Sequence, residues 1–574
     1  MKKLLTFLSI FIISFTVYLS YNDLIPSNSN KIDVTGFSID NALEHLKIIS
    51  KKPHYTGSEY HTKVRDYILN ELNKMGLESE IQDQVVTRFC CVGTNTSNII
   101  GTIKGSGNGK SLVLLTHYDS RHHASYGASD AGSGVVTILE GVRAFLSKNT
   151  IPVNDIHLVF TDAEEIGLLG AQAFVKNHRL VDNIGLVLNF EARGSGGPSY
   201  MLVETNGKNG NLISEFVNAK PGYPAANSLM YSVYKMLPND TDLTVFREQA
   251  NINGFNFAFI GDHFDYHTSL DSYERLDRNT LMHQADYFMS MLNHFSNIDL
   301  SKLDSDKDFV YFNFPFLKMV YYPYSWIYPL LIFSIILYLF VVYLGIGINK
   351  LSLQGILNGL LALFVSLFVC LSVTVILWNL ISYLNPDYID ILHGFTYNGY
   401  YYIAAFIFLN LFCLLSIYYP FFKNNSGMDL SVAPLGFWLI VNILISFYLK
   451  GAAYFIIPVY FVLFSILLIY FLDIKSYKKM IIWTALSMPV IYIFAPQLKM
   501  FPVGLGLDNL FITSLFLILV FVLLLPIFSN IEFKSQIKKL TLLTTLTFFV
   551  LAFLNNDYDS QYYWVSYYLN RNHF

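Results

Sequence analysis

DIHLVFTDAEEIGLLGA, residues 155–171, joins an apolar run to two adjacent carboxylates and then to several small residues. The run 155–160 predicts a buried strand, and the small residues after Glu165 indicate the start of a helix. Two adjacent like charges repel each other, and a solvated turn would need only one of them. We therefore expect Glu164 and Glu165 to have separate chemical tasks.

Similar patterns precede and follow this stretch. SLVLLTHYD (111–119) and IGLVLNFEARG (184–194) also predict buried strands that end in His or acidic residues. SIDNALEHLKIIS (38–50) and EYHTKVRDYILNELNKMG (59–76) have the spacing of amphipathic helices. This alternation predicts an α/β sandwich, in which ligands bind beyond the carboxyl ends of the strands.

The composition divides the 574 residues into two regions. Hydrophobic residues make up 53% and charged residues only 14%, whereas soluble domains have about 25% charged residues. Residues 32–308 resemble a soluble protein, and residues 320–556 are almost continuously apolar. The net charge of −4, without a basic stripe, argues against nucleic acid as a partner. The pattern indicates a soluble domain attached to an all-α membrane domain, with the lipid bilayer as a partner and no indication of an oligomeric state.

The apolar region predicts eight membrane spans, and residues 1–22 predict an N-terminal transmembrane anchor rather than a cleaved signal peptide. The eight spans cover residues 325–346, 355–382, 399–420, 431–449, 452–472, 480–496, 509–528 and 539–555, and a short tail covers 557–574. Alternate loops then hold most of the lysines, which predicts that the soluble domain is exocytoplasmic. The lysines on the predicted inner side are Lys2, Lys3, Lys350, Lys423, Lys475, Lys478, Lys479, Lys534, Lys538 and Lys539.

Candidate metal ligands follow the predicted strands. A strand-end aspartate is usually a cap and a single histidine is usually a satisfied polar residue, but here several such residues meet at one sheet edge. Nitrogen and oxygen donors of this kind suit a borderline metal such as Zn²⁺. The candidates are His117, Asp119, Asp130, Glu164, Glu165, Glu191 and His267.

Other residues near these motifs have two interpretations each. Arg193 could hold a substrate carboxylate or form a structural salt bridge. Asp242 could orient a loop near the site or cap a helix. GSGNGKS (105–111) lacks the spacing of a phosphate loop and predicts a hairpin turn.

The ordered motifs HYDS, SDAGSG, TDAEEIGLLGA, NFEARG and YHTSLD resemble the co-catalytic zinc aminopeptidase superfamily, which includes glutamate carboxypeptidase II and the glutaminyl cyclases. The resemblance covers about residues 37–292. NFEARGSGGPSYML, PNDTDLTVFRE and the multi-span region look most like the membrane-bound branch of endoplasmic reticulum metallopeptidases and vacuolar membrane proteases. The resemblance implies a three-layer zinc-peptidase sandwich with a mixed central sheet.

The resemblance also implies two Zn²⁺ ions bridged by Asp130 and a hydroxide. One ion would be bound by His117 and Glu191, and the other by Glu165 and His267. Glu191 replaces an aspartate that is common in soluble relatives, and the membrane branch shares this longer side chain.

Three catalytic roles are implied in the same way. Asp119 would orient the His117 imidazole. Glu164 would be the general base that passes a proton to the leaving amine. Tyr266 would donate its phenol to the oxyanion, or would only pack beneath His267.

We therefore predict a multi-pass membrane zinc metallopeptidase, an aminopeptidase acting on peptides in the periplasm or in a vacuolar or endoplasmic reticulum lumen. One alternative is a glutaminyl cyclase-like acyltransferase with a single zinc; cyclases tend to have Trp where this chain has Tyr266. The other alternative is an inactive peptidase-like membrane interaction protein. The presence of every expected ligand and of the base argues against that second alternative.

Overall fold

The computed structural model describes residues 2–27, 36–88, 92–122, 124–237, 240–391, 393–472, 476–532 and 534–555. Among these residues the chain forms two compact units. One unit runs from residue 23 to residue 309 and contains the described part of the predicted 32–308 domain. The other combines residues 2–22, which form helix α1 (Lys2–Asn22), with residues 310–555. The predicted tail 557–574 lies outside the described residues.

The first unit is built on a mixed seven-stranded sheet. Its strands are β1 (Glu78–Arg88), β2 (Val92–Ile103), β3 (Ser111–His117), β4 (Ile156–Thr161), β5 (Ile184–Ala192), β6 (Gly196–Glu204) and β7 (Gly254–Gly261). Their order across the sheet is β1-β2-β4-β3-β5-β7-β6. The central strands β4, β3, β5 and β7 are parallel, and the other pairings are antiparallel. The carboxyl ends of the four central strands therefore lie along one edge of the sheet.

Eight helices belong to this unit. They are α2 (Ile39–Ile49), α3 (Glu59–Lys74), α4 (Gly132–Leu146), α5 (Leu169–Asn177), α6 (Gly210–Asn218), α7 (Ser228–Tyr234), α8 (Asp242–Ala250) and α9 (Arg278–Phe295). The two predicted helices over 38–50 and 59–76 are α2 and α3, and their first turns are capped by Ser38 and Ser58. Short 3₁₀ turns cover Val181–Asn183, His263–Asp265 and Leu300–Lys302.

Helices cover both faces of the sheet. Phe174 of α5 and Phe246 of α8 share one buried cluster with valines of β3, β4 and β5. Helices α4 and α9 contact the sheet, and Phe288 of α9 packs against Phe190 of β5 with 5.3 Å between ring centroids. Every residue of β3 and β4 is buried, as expected for parallel strands covered on both faces. The predicted three-layer α/β sandwich with a mixed sheet is confirmed.

The predicted hairpin at residues 105–111 is wrong. The stretch joins β2 to β3, and these two strands are separated in the sheet by β4. The link crosses the start of β4, where the Asp155 carboxylate accepts a hydrogen bond from Gly105 N at 2.7 Å. A glycine-rich sequence indicates a turn but does not show whether the flanking strands pair with each other.

The small residues after the paired glutamates bring α5 close to the strand ends. Gly170 N donates to Asp162 O at 2.9 Å, and Gly170 O accepts from Asn98 Nδ2 at 2.8 Å. A Cβ atom at Gly170 would lie 2.6 Å from Asp162 N and would also collide with Asp162 O and Asn98 Oδ1. Only glycine permits this approach.

The second unit contains the apolar helices. They are α1, α10 (Ile327–Gly347), α11 (Leu353–Leu384), α12 (Gly399–Phe421), α13 (Gly427–Tyr448), α14 (Ile456–Phe471), α15 (Ser476–Leu505), α16 (Leu510–Leu523), α17 (Leu525–Asn530) and α18 (Lys534–Leu554). Strands β8 (Phe309–Phe314) and β9 (Lys318–Pro323) form a separate sheet, and 3₁₀ turns cover Tyr324–Trp326, Pro386–Asp390, Lys450–Phe455 and Leu507–Asn509. Within the described ranges, eight helical segments are long and apolar enough to cross a membrane.

The predicted span 509–528 is divided between two helices. Helix α16 has only 14 residues, and α17 has six. Pro526 lies in the first turn of α17, where it has no amide hydrogen for a continuing helical ladder. The predicted span 509–528 is thus a broken helix.

We expect Gly170→Ala to destabilise the first unit by about 1–3 kcal/mol, because the added methyl group collides with backbone atoms of Asp162, the residue after β4. The measurement is the thermal unfolding midpoint of the full chain in detergent. Gly109→Ala is the matched control, because its Cβ would lie 3.6 Å from the nearest atom, Asn154 Oδ1. Equal midpoints for the two variants would contradict the close approach.

Candidate metal centre

The carboxyl edge of the central sheet brings seven predicted residues together. His117 ends β3 and Asp119 follows two residues later. Glu191 lies near the end of β5, and Glu164 and Glu165 follow β4. Asp130 lies just before α4, and His267 follows the 3₁₀ turn after β7. Two sets of donors each lie within 4.8 Å of one another, His117 with Asp130 and Glu191, and His267 with Asp130 and Glu165. Asp130 belongs to both sets.

In the first set, one imidazole nitrogen faces two carboxylates. His117 Nε2 lies 3.1 Å from Asp130 Oδ1 and 3.7 Å from Glu191 Oε2. His117 Nδ1 lies 3.0 Å from the backbone oxygen of Asp119, which can only accept a hydrogen bond. With its proton on Nδ1, the imidazole could give its Nε2 lone pair to a cation held between it and the carboxylates.

The second set repeats this arrangement. His267 Nε2 lies 3.2 Å from Asp130 Oδ2 and 3.1 Å from Glu165 Oε2. The two oxygens of Asp130 therefore face different imidazoles. This is the disposition that a carboxylate needs to bridge two cations.

Three buried oxygens of the candidate ligand carboxylates have no hydrogen-bond donor among the described residues. They are Asp130 Oδ2, Glu165 Oε1 and Glu191 Oε1. A buried anion without a donor or a cation costs several kcal/mol. Imidazole and carboxylate donors, with oxygens left for a cation, fit Zn²⁺. The residues present thus fit a pair of zinc ions.

Asp119 holds the turn that carries the paired glutamates. Its Oδ1 accepts from Glu164 N at 3.0 Å, and its Oδ2 accepts from Glu165 N at 3.3 Å. Thr56 Oγ1 lies 3.2 Å from Asp119 Oδ2. Asp119 Oδ1 also lies 3.5 Å from His117 Nδ1. One carboxylate therefore positions both the first imidazole and the Glu164–Glu165 turn.

Asp271 holds the backbone of the Asp130 loop as Asp119 holds the Glu164–Glu165 turn. The sequence did not indicate this role of Asp271. Its carboxylate accepts from Ser129 N at 2.6 Å and from Asp130 N at 3.2 Å. Burial, and then the charge of Asp130, raises the pKa of Asp271 to about 7. The only signal was its position in YHTSLD, four residues after His267.

Asp242 is buried at the first position of α8, and the N-cap of that helix is Thr241. The prediction that Asp242 caps the helix is therefore wrong. Its carboxylate accepts from the hydroxyl of Thr161, the last residue of β4. Burial raises the pKa of Asp242 to about 7, with the charge of Glu191 contributing. Asp242 thus adds a further acidic group beside the site.

Glu164 is half-buried, and its carboxylate forms no hydrogen bond with the described residues. In the metal-free site, burial raises its pKa well above the usual value, and the charges of Glu165 and Glu191 add to this effect. The imidazole of His117 opposes the shift. Burial alone would lower the pKa of His117, but Glu191 and Glu164 hold it well above its usual value. Glu164 is thus a carboxyl group able to accept or donate a proton.

Tyr266 stacks on the imidazole of His267, with 3.6 Å between ring centroids. The Arg193 guanidinium lies 5.7 Å from the centroid of the Tyr266 ring. Within the described ranges no carboxylate lies within 4 Å of Arg193, so the predicted salt bridge is not present there. The arrangement holds the Tyr266 ring against a candidate ligand.

A cavity of 640 Å³ adjoins the second donor set. Its lining includes Tyr55, Thr56, Asp119, Arg121, His122 and Glu165. Arg121 Nη1 donates to Glu165 O at 2.6 Å and lies 3.6 Å from Glu165 Oε2. The sequence placed Arg121 next to the HYDS motif but did not indicate this contact. The cavity offers space for a substrate beside the candidate ligands.

Comparisons with known proteins agree with these motifs. Residues 98–292 match Peptidase family M28. The chain is 28% identical over 339 residues to the vacuolar membrane protease of Candida dubliniensis, covering 54% of this chain and 34% of that protein. It is 25% identical over 391 residues to endoplasmic reticulum metallopeptidase 1 of Mus musculus, covering 63% of this chain and 42% of that protein. The region matched thus spans 34% to 42% of the length of these relatives.

Some solved structures are similar to part of this chain, with low sequence identity. The glutaminyl cyclase of Porphyromonas gingivalis has a TM-score of 0.39 and 21% identity, and the alignment covers 46% of this chain and 98% of that chain.

We expect Glu165→Gln to reduce the zinc content of the purified full chain from two ions to at most one, because a ligand of the second set loses its charge. Glu164→Gln should retain both ions, since that side chain belongs to neither set. Elemental analysis of the detergent-purified, dialysed protein provides the measurement. Equal zinc content in the two variants would contradict this division of roles.

Proposed function

We propose that this chain, whose residues 98–292 are a Peptidase family M28 domain, is a membrane-anchored zinc aminopeptidase. The observation that carries the proposal is the pair of donor sets that share Asp130, beside the carboxyl group of Glu164, to which no described residue donates a hydrogen bond. The vacuolar and endoplasmic reticulum relatives support a peptidase in a membrane.

Each donor set would hold one ion. His117 and Glu191 would bind the first, Glu165 and His267 the second, and Asp130 would bind both. Bound zinc lowers the pKa of water to about 7 and polarises a carbonyl oxygen. Asp119 and Asp271 keep the ligand-bearing segments in place through backbone amides.

Glu164 is the proton carrier of the proposed reaction. It accepts the proton that the attacking water loses, and it donates that proton to the nitrogen of the leaving amine. Its carboxyl group is available for this task because no described residue donates a hydrogen bond to it. The Glu165 carboxylate faces His267 instead. The two neighbouring glutamates therefore have different roles in the proposed site.

The site has more carboxyl groups than positive charges, and this excess favours a substrate with a free amino terminus. Two zinc ions and the Arg121 guanidinium would carry five positive charges, and the ions would lower the raised pKa values of Glu164 and Asp242. These five charges are fewer than the seven carboxyl groups of Asp119, Asp130, Glu164, Glu165, Glu191, Asp242 and Asp271. A protonated terminal amine would be attracted to this environment. This charge balance supports an aminopeptidase over an enzyme that binds a substrate carboxylate.

The proposed location follows from the apolar helices and the lysine distribution. We propose that the helices of the second unit cross a bilayer and that the peptidase unit faces the exocytoplasmic side. The eight long apolar helical segments support the first part, and the positive-inside rule supports the second.

We expect Glu164→Gln to lower kcat about 10²- to 10⁴-fold with little change in KM, because glutamine keeps the shape of the side chain but carries no proton. The measurement is cleavage of a peptide library by the detergent-solubilised full chain. Glu248→Gln, an exposed glutamate of α8, is the charge-matched control. Full activity of Glu164→Gln would overturn the mechanism.

Peptides with a free amino terminus should lose residues one at a time from that end, and N-acetylated versions should resist cleavage. Mass spectrometry of the products distinguishes these outcomes. Cleavage only of N-acetylated peptides would contradict the aminopeptidase assignment. Loss of ammonia from N-terminal glutamine without shortening, together with one zinc per chain, would indicate the glutaminyl cyclase alternative.

Tyr266→Phe tests the proposed contact with the oxyanion. Loss of a single donor of this kind lowers kcat about 10²- to 10³-fold, and we expect an effect of this order with zinc content unchanged. The same kinetic assay and elemental analysis provide the measurement. An unchanged kcat would show that the phenol ring only packs against His267.

A further inference from the structure

One end of the apolar unit carries a cavity that the peptidase proposal does not use. The cavity has a volume of about 500 Å³ and lies between the start of α1, the end of α12 and the start of α18. Its lining includes Lys2, Tyr419, Phe422, Lys423, Glu532 and Lys534. We name it the lysine pocket and include Lys538, whose Nζ lies 5.5 Å from the centroid of the Tyr419 ring.

Three of the four lysines lie over aromatic rings. Lys423 Nζ lies 5.7 Å from the Tyr419 centroid, and Lys534 Nζ lies 5.7 Å from the Phe422 centroid. Cation–π contacts favour these positions. The ammonium groups are therefore gathered around the pocket, although they carry like charges.

The positive charge of the pocket is not compensated. Lys2 Nζ lies 3.8 Å from Glu532 Oε1, and the other three lysines have no carboxylate within 4 Å among the described residues. The partial charges at the end of α12 and at the start of α18 have opposite signs and offset each other. Four lysines against one glutamate leave three positive charges.

The charges at the start of helix α18 are unfavourable unless an anion is bound there. Its first turn has no acidic residue, and Lys534 and Lys538 are spaced as neighbours on one face of the helix. The like charge four residues away destabilises this arrangement. A bound anion would remove this penalty.

We propose that the lysine pocket binds the phosphate group of an anionic phospholipid. Phosphate is an anion that clustered lysines commonly bind. Basic pockets between membrane helices on the lysine-rich side are typical sites for acidic lipid headgroups. All four lysines lie on the side predicted to face the cytoplasm.

An apolar surface next to the pocket favours a lipid over free phosphate. Beyond its lysines, α18 exposes Leu540, Leu543 and Leu546, with 61%, 62% and 54% of each residue accessible. These leucines recur every three residues along one side of the helix. Acyl chains attached to a phosphate in the pocket can lie along this surface.

The test measures lipid binding to the full chain by native mass spectrometry in detergent. The probes are phosphatidic acid, phosphatidylcholine and inorganic phosphate. The pocket variant is Lys423→Gln/Lys534→Gln/Lys538→Gln. The control variant, Lys350→Gln/Lys478→Gln/Lys479→Gln, removes the same charge from the same predicted side outside the pocket.

We expect the pocket variant to bind phosphatidic acid about a hundredfold more weakly than the unaltered chain, since each of the three lysines contributes about a fivefold factor near a lipid surface. The control variant should retain its affinity, and phosphatidylcholine should bind weakly to all three proteins. Equal loss in both variants would indicate diffuse charge attraction and would overturn the proposal. Full affinity in the pocket variant would also overturn it, and inorganic phosphate binding as tightly as phosphatidic acid would overturn the assignment to a lipid.

A second measurement excludes misfolding of the pocket variant. Without lipid, neutralising the three lysines removes like-charge repulsion, so the thermal unfolding midpoint should stay equal or rise. Phosphatidic acid should then raise the midpoint of the unaltered chain and of the control variant, but not that of the pocket variant. A rise of equal size in all three proteins would overturn the proposal. Peptide hydrolysis plays no part in either readout.

Discussion

The carboxylate of Asp130 faces two imidazoles, with Oδ1 3.1 Å from His117 and Oδ2 3.2 Å from His267. The rest of the site is arranged around this shared group. Asp271 fixes the backbone of the Asp130 loop, and Asp119 fixes the turn after β4. Because β4, β3, β5 and β7 are parallel, the segments that follow them meet at one edge of the sheet. Both donor sets form because these segments lie close together at that edge.

The adjacency of Glu164 and Glu165 has a structural explanation. Both of their amides point toward the carboxylate of Asp119, so the turn is anchored from one side. Glu165 then reaches His267, whereas Glu164 interacts electrostatically with His117 and Glu191. Two neighbouring side chains thereby serve different halves of the site. The close approach of Gly170 to Asp162 and Asn98 keeps α5 directly behind this turn.

Much of the fold and of the candidate site could be predicted from local patterns. Strands β3, β4 and β5 are apolar runs with His or acidic residues at or just after their ends. The metal-ligating side chains at these ends lie close together in the structure. Asp271 could not be predicted in the same way, because its partner Ser129 lies 142 residues away and any buried acid can find such amides. The contact of Arg121 with Glu165 likewise depends on tertiary packing. The hairpin prediction failed because β4, which comes later in the chain, is inserted between β2 and β3.

Each unit contains a cluster of like charges whose repulsion is only partly relieved by its own described residues. In the peptidase unit the clustered groups are rigid, buried carboxylates whose positions are fixed by backbone amides, and such geometry selects small cations. In the apolar unit they are flexible lysines around a cavity of about 500 Å³ beside an exposed apolar surface. Flexible ammonium groups suit a larger anion that needs no fixed coordination geometry. The same electrostatic argument therefore leads to zinc in the first unit and to a lipid phosphate in the second, and the rigidity of the surrounding side chains decides between these two kinds of ligand.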